Sequence, residues 1–244
     1  SNRVRHAIRT HIISWLRKDG TIAAKKVECF SNQGSYASHG HSIVAKALGS
    51  FNQHYPCPNF EGDAYTVFTN RPAAGAMRGY GMPQASFADE SNVDECAKAV
   101  GMDPLAFRMQ NLMPKGFEDA FSHNVNYEDS FRQCLEVGRK YMDYDRKVAE
   151  YAKDTGPVRR GIGVAVDVDE AGSYPFAPGV DDPGGPGGGQ RLHGGDSAAG
   201  HRHVRLDAGA AGAVIDGSAP DDEIKHEIPF FCAIISSRPQ AGSR

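Results

Sequence analysis

An α+β fold is the class this sequence predicts, and three observations predict it. Two runs of β-forming residues flank a Lys18-Asp-Gly20 turn signal, and a third run follows near residue 64. From Pro83 onward the apolar residues recur at helical spacing. An extended stretch, Arg160–Val166, then closes the ordered part, so strands precede helices and a strand returns at the end.

Each element has its own warrant. Thr10–Leu16 carries His11, Ile12, Ile13 and Trp15 and reads as a strand, and Thr21–Phe30 is its hairpin partner. Ser31–Gly40 is polar and loop-like. Ser42–Leu48 reads as a short helix, and Pro56, Pro58 and Asn59 break the chain after it. Ala64–Asn70 is a strand built on Tyr65, Thr66, Val67 and Phe68. Arg71–Gly81, rich in glycine and alanine, is a loop that lets backbone approach something closely. Pro83 suits a first helical turn; Phe87, Val93, Cys96, Ala97 and Val100 keep the period, and Gly101 stops it. Asp103-Pro104 is an N-cap followed by proline at the first helical position. Asn126–Tyr144 reads as the longest helix, with Phe131, Leu135 and Gly138 toward one side.

The order stops near residue 166. Thirteen of the 28 glycines fall between Gly172 and Gly217, in runs such as Asp182-Pro-Gly-Gly-Pro-Gly-Gly-Gly-Gln190. Such a stretch buries too little apolar surface to offset its ordering entropy. Residues 1–166 are therefore expected to form the folded domain, and 167–244 a low-complexity tail that is disordered or out of frame.

The composition excludes several classes. With 27 basic and 30 acidic residues and a net charge of −3, no nucleic-acid partner recruited by overall charge is expected. No apolar run approaches the ~20 residues of a membrane span, and Arg3, Arg5, His6 and Arg9 lead into only a short apolar patch, unlike a secretory leader. Cys29, Cys57, Cys96, Cys134 and Cys232 are odd in number, widely spaced and without a C-x-x-C pair. Small buried side chains in a cytoplasmic protein are expected, rather than a disulfide framework or structural zinc.

Gly75-Ala-Met-Arg-Gly-Tyr-Gly-Met-Pro-Gln84 is the most informative segment. Three glycines around one arginine and one tyrosine keep bulk off the backbone, so amide groups and a guanidinium can press against an anionic ligand. The segment lacks the third glycine of a dinucleotide fingerprint and the Gly-Lys-Ser/Thr of a phosphate-binding P-loop. On spacing alone it also reads as a tight turn before a helix. His39 and His41 flank Gly40; a His-x-His pair can bind metal, but loop polarity or hydrogen bonding is the ordinary reading.

The longer segment Phe68-Thr-Asn-Arg-Pro-Ala-Ala-Gly-Ala-Met-Arg-Gly-Tyr-Gly-Met-Pro-Gln84 resembles one from the molybdopterin-binding subunit of the xanthine dehydrogenase family, the molybdenum hydroxylases. Other motifs resemble that family in the same order: Lys18-Asp-Gly-Thr21 leading to Ser31-Asn-Gln-Gly-Ser-Tyr-Ala-Ser-His-Gly40, then Gly101-Met-Asp-Pro-Leu-Ala-Phe-Arg-Met-Gln-Asn111, then Arg160-Gly-Ile-Gly-Val-Ala165. The resemblance covers residues 1–166 and implies a partial molybdopterin-binding domain.

The resemblance also implies roles. Ala76, Arg78 and Gly79 would contact molybdopterin or its cytosine dinucleotide. Tyr80 would pack on a flat heteroaromatic substrate. Lys46 falls where xanthine-type members carry a substrate-orienting arginine; lysine keeps the charge but loses the bidentate fork, which counts against xanthine itself. No catalytic residue and no protein ligand to a metal is assigned. The implied activity is hydroxylation of a purine or another N-heteroaromatic with water as oxygen source, with FAD and 2Fe-2S centres on partner subunits or domains. Nicotinate-type and aldehyde-type hydroxylation, and a non-catalytic split-subunit or degenerate chain, are the alternatives. The family's G-x-G-E glutamate segment and its G-G-x-F-G-G-K loop do not occur in the sequence, so the chain by itself is expected to be inactive. Where the family continues with a strand-rich segment, Asp196–Arg205 read one base later can spell a family-like stretch, which suggests a frameshift between about Val166 and Gln190.

Overall fold

The computed structural model describes residues 3–118, 125–126 and 129–167, together with the backbone of three later strands at 195–197, 201–209 and 223–232. A hairpin of β1 (Ala7–Arg17) and β2 (Ile22–Gly34) opens the fold. Its turn is closed by Gly20 N–H donating to the Arg17 carbonyl at 2.9 Å and by Arg17 N–H donating to Thr21 at 2.9 Å. Gly20 takes φ +88°, the left-handed conformation that the Asp-Gly signal foretells.

From β2 the chain crosses through helix α1 (Gly40–Ser50) to β3 (Asn59–Phe68), which pairs parallel to β2. A parallel pair needs such a crossover. Ser31–Gly34, expected to be loop, continues β2, because Ser31 and Asn32 keep their ladder with Ile8 and Ala7 on one side and with Thr66 and Val67 on the other. Helices α2 (Met82–Ala99), α3 (Pro104–Asn111), α4 (Ser130–Tyr141) and α5 (Tyr144–Tyr151) follow.

The face of the sheet under the helices explains which residues are apolar. Ile8, Thr10, Ile12 and Ser14 of β1 are buried in alternation, opposite Val27 and Cys29 of β2. Next to them, Gly62 of β3 leaves room for Leu48 of α1: a Cβ there would lie 2.8 Å from the leucine Cδ1. Two polar links tie the same face to α2. Ser14 Oγ donates to Asn92 Oδ1 at 2.8 Å, and the buried Lys25 Nζ donates to Asp89 Oδ1 at 2.8 Å and to the Phe51 carbonyl at 2.8 Å. The other face is half-exposed, with a Lys26–Glu61 ion pair at 3.0 Å and the stacked rings of Phe30 and Tyr65, 4.8 Å apart.

Two helical expectations needed correction. The helix expected over Asn126–Tyr144 is α4 alone, from Ser130 to Tyr141; Asp143 takes φ +51° and cannot continue a right-handed helix, and a separate helix, α5, begins after it. α2, at 18 residues, is therefore the longest helix among the described residues. Among the described residues Arg160–Val166 is extended but joins no strand ladder; Val166 is buried and the following Asp167 accepts from Ser86 Oγ of α2 at 2.7 Å.

Within the segment expected to be a low-complexity tail, β4 (Gly195–Ser197), β5 (His201–Gly209) and β6 (Glu223–Cys232) extend the sheet to the order β4-β5-β3-β2-β1-β6. The glycine content hid a period-two pattern in the sequence, with Val204, Leu206 and Ala208 alternating with Arg205 and Asp207. Pro229 is tolerated because β6 is the edge strand beside β1. The remainder of the tail, on which the expectation of disorder or a shifted frame also falls, lies outside the described residues.

Candidate functional site

β2 and β3 point their carboxyl ends to the same place, and in sheets with parallel strands that is where ligand crevices form. Three segments meet there: the chain before β1, the 35–39 turn with the start of α1, and the 69–81 loop that leads into α2. Gln33 is the pin. It is fully buried; its Nε2 donates to the carbonyl of Ala74 at 3.1 Å and to that of Tyr36 at 2.7 Å, and its carbonyl accepts from Ala74 N–H at 2.9 Å. Val4 adds a parallel bridge to Ala74. Gln84, also buried, donates from Nε2 to the His6 carbonyl at 2.8 Å. Burial keeps His6 below the ordinary histidine range, hence neutral, with Nδ1 2.9 Å from Ser31 Oγ.

Beyond this pinned base the loop turns outward. Gly79, Tyr80 and Gly81 have φ of +84°, +47° and +100° in succession. For glycine this is ordinary; for a tyrosine it costs about 1–2 kcal/mol. Tyr80 N–H donates to the Met77 carbonyl at 2.8 Å and Met82 N–H to the Gly79 carbonyl at 2.8 Å, which fixes the reversal. Gly81 packs against α1 at Ile43 and Ala47, so the loop is braced on that helix.

The five residues assigned by sequence fall into two groups. Ala76 and Arg78 are exposed and Gly79 is half-buried on the outer limb of the loop. Tyr80 is half-buried beside α1; Lys46, half-buried, lies on α1 next to Ala47, which contacts Gly81. Sequence reasoning missed Arg5 and His39. Arg5 Nη2 donates to the Arg78 carbonyl at 2.8 Å, and Tyr80 Oη lies 2.9 Å from His39 Nδ1 with the two rings edge to face, 6.4 Å apart. His39 hydrogen-bonds, as the ordinary reading of the His-x-His pair expects, but its aromatic partner is 41 residues away in sequence and no local signal reveals it. Among the described residues no cluster of three or more metal-ligating side chains exists.

The loop fits an anionic ligand on its own geometry. Among the described residues the amides of Ala76, Met77, Arg78 and Gly79 donate to no protein acceptor, and the loop that carries them is exposed over 76–78. The Arg3 side chain lies against Gly75, Arg5 reaches Arg78, and neither these two nor Arg78 forms an ion pair among the described residues. Arg5 Nη1 is buried without a partner among the described residues. Unpaired N–H groups and guanidinium groups converging on one turn are what a phosphate-bearing cofactor requires.

Residues 1–112 match the family described as the molybdopterin cofactor-binding domain. The chain is 38% identical over 165 residues to the xanthine dehydrogenase molybdenum-binding subunit of Escherichia coli O157:H7, covering 68% of this chain and 22% of that protein. It is 34% identical over 146 residues to the nicotinate dehydrogenase large molybdopterin subunit of Eubacterium barkeri, covering 58% and 34%. Among solved structures, the aldehyde oxidoreductase from Desulfovibrio gigas superposes with a TM-score of 0.57 at 27% identity, over 63% of this chain and 16% of that one. The chain thus spans about a fifth to a third of the length of these curated relatives. With the family motifs in order, the matching domain and the shared fold, this chain carries over residues 1–112 a molybdopterin cofactor-binding domain, similar to that of xanthine dehydrogenase molybdenum-binding subunits.

Proposed function

We propose that this chain forms one wall of the molybdopterin and substrate site of a molybdenum hydroxylase acting on a purine or another N-heteroaromatic. The observation that carries the reading is the outward loop at 76–80, whose amides at 76–79 donate to no protein acceptor among the described residues and which is braced on α1 through Gly81. Ala76, Arg78 and Gly79 hold the cofactor, as molybdopterin or its cytosine dinucleotide, through main-chain N–H groups and the Arg78 guanidinium. Arg5 stiffens that contact by holding the Arg78 carbonyl. When bound, molybdopterin supplies the molybdenum centre that transfers a water-derived oxygen to the ring and accepts two electrons. This chain's own residues bind and orient. Tyr80 offers a ring face to a planar substrate, and Lys46 offers a single charge to its polar edge.

Lysine at this position favours a substrate that needs a point charge rather than a bidentate fork, such as a nicotinate-like carboxylate, over xanthine. Aldehyde oxidation is the second reading; the similarity to an aldehyde oxidoreductase favours it. FAD-bearing and 2Fe-2S-bearing partners in the cytoplasm would carry the electrons away. Alone, the chain is inactive.

The test is purification of the tagged full chain from cells that encode it, grown with molybdate. The reading expects molybdenum and oxidised pterin in equal amounts, with flavin and iron–sulfur proteins retained, and oxidation of an N-heteroaromatic. A chain that purifies free of pterin and of those partners overturns it.

A further inference from the structure

We propose that His39 is a positioning residue for Tyr80, fixing both the ring and the hydroxyl of the side chain that meets the planar substrate; this rests on the reading of loop 76–80 as a wall of the substrate site.

The geometry carries the proposal from both partners. Tyr80 is held in a left-handed backbone conformation between two glycines that share it, so its ring leaves the loop in a direction an ordinary turn does not give. The hydroxyl then meets His39 Nδ1 at 2.9 Å, while the imidazole stands at 87° to the phenol ring.

His39 has no local structural task that accounts for it. It occupies the N-cap of α1, where Ser, Thr, Asp or Asn would accept a helix N–H, and it makes no side-chain cap bond. The preceding Ser38 takes φ +37°. The turn thus gives up a cap and adopts an uncommon conformation, and the outcome is an imidazole aimed at Tyr80.

The hydrogen bond also decides what the phenol offers. A neutral imidazole with its lone pair on Nδ1 accepts the hydrogen bond of the phenol O–H, and the tyrosine oxygen then accepts from a ring N–H of the substrate. With the proton on Nδ1 the polarity reverses, and the hydroxyl donates to a ring nitrogen or a carbonyl. His39 therefore sets the hydrogen-bond polarity that the substrate edge must match, and this selects among heterocycles of equal shape.

Two measurements test this. In the isotopically labelled full chain, His39→Leu is expected to shift the Tyr80 Cζ resonance, and Tyr80→Phe to shift His39 Nδ1. His39→Asn, whose amide reaches the place of Nδ1, is expected to restore most of the tyrosine shift. In the molybdenum-loaded complex carrying the chain, His39→Leu should raise KM for the heteroaromatic substrate about fivefold, the factor for one lost hydrogen bond, with kcat changed less than about twofold. His39→Asn should return KM to within about twofold. An unmoved Tyr80 resonance in His39→Leu, or a matched loss in kcat and kcat/KM that asparagine does not rescue, overturns the proposal while leaving the loop's role intact. A Tyr80→Ala enzyme with unchanged KM overturns the reading of the loop, and the proposal with it.

Discussion

A Cβ placed on Gly81 would lie 2.5 Å from the carbonyl oxygen of Ile43 and 3.1 Å from Cβ of Ala47. The 76–81 loop is thus seated on the backbone of α1, and its glycine is required both for space and for φ +100°. Gly81→Ala should destabilise the folded chain by about 2 kcal/mol, since the clash is with backbone and the conformation is left-handed. Urea denaturation checks this; an unchanged midpoint would show that the loop is not braced there.

Arg108 is fully buried and holds α2 to α3. Its guanidinium donates from Nε to Glu90 Oε2 at 2.9 Å and from Nη1 to Asp94 Oδ1 at 2.6 Å and the Pro104 carbonyl at 3.1 Å, and Tyr55 Oη donates to Glu90 Oε1 at 2.6 Å. Burial pushes the Glu90 carboxyl above its ordinary range, with Arg108 and Tyr55 pulling the other way. Arg108→Met alone strands that carboxylate and should cost about 3–5 kcal/mol. Arg108→Met with Glu90→Gln should recover part of it. A double variant no better than the single one, by chemical denaturation, would contradict the assignment of the loss to an unpaired Glu90.

His54 should make stability depend on pH. It is buried, its Nε2 has no partner among the described residues, and desolvation holds its pKa below 6.5, with Lys25 pushing the same way and Asp89 and Asp167 opposing. As pH falls through 6.5 the unfolded chain takes up a proton that folded His54 refuses. Its contribution is therefore whole above that pH and is lost as pH drops toward the folded pKa. The measurement is the difference in unfolding free energy between wild type and His54→Gln, in which other titrating groups cancel. The difference should shift in favour of His54→Gln between pH 7 and pH 5; a flat difference would contradict it.

Asp103 caps α3, accepting from Leu105 N–H at 3.0 Å and Ala106 N–H at 2.9 Å, while its other oxygen accepts from Tyr144 Oη at 3.1 Å. Asp103→Ala should cost about 1–2 kcal/mol, and Asp103→Asn less than half of that. Equal losses for the two, read from thermal unfolding, would show that the cap bonds carry none of it.

Much of this was legible because the signals are local. The Lys18-Asp-Gly20 turn, the Asp103-Pro104 cap and the helix after Pro83 each depend on residues within a few positions. The 75–84 loop stood out by its glycines. The errors share a cause: they are decided by distant partners. Ser31 and Asn32 read as loop because they are polar, yet strands on both sides extend β2 through them. The exception is the helix over Asn126–Tyr144, which stops at Tyr141 because of the left-handed backbone at Asp143, a local feature that apolar spacing does not show. At the site, Tyr80 and Arg78 were legible from a motif, whereas His39 and Arg5 reach them across 41 and 73 positions, where no sequence period operates.

The most direct test of the account is amide hydrogen exchange of this chain within its assembled complex, with and without the molybdenum cofactor. The amides of Ala76, Met77, Arg78 and Gly79 have no protein acceptor among the described residues, so they exchange fast until a ligand takes them. The account predicts about tenfold or greater protection of 76–79 when the cofactor is loaded, a factor equivalent to about 1.4 kcal/mol per amide. Exchange there that is indifferent to the cofactor, with protection appearing elsewhere in the complex, would contradict it.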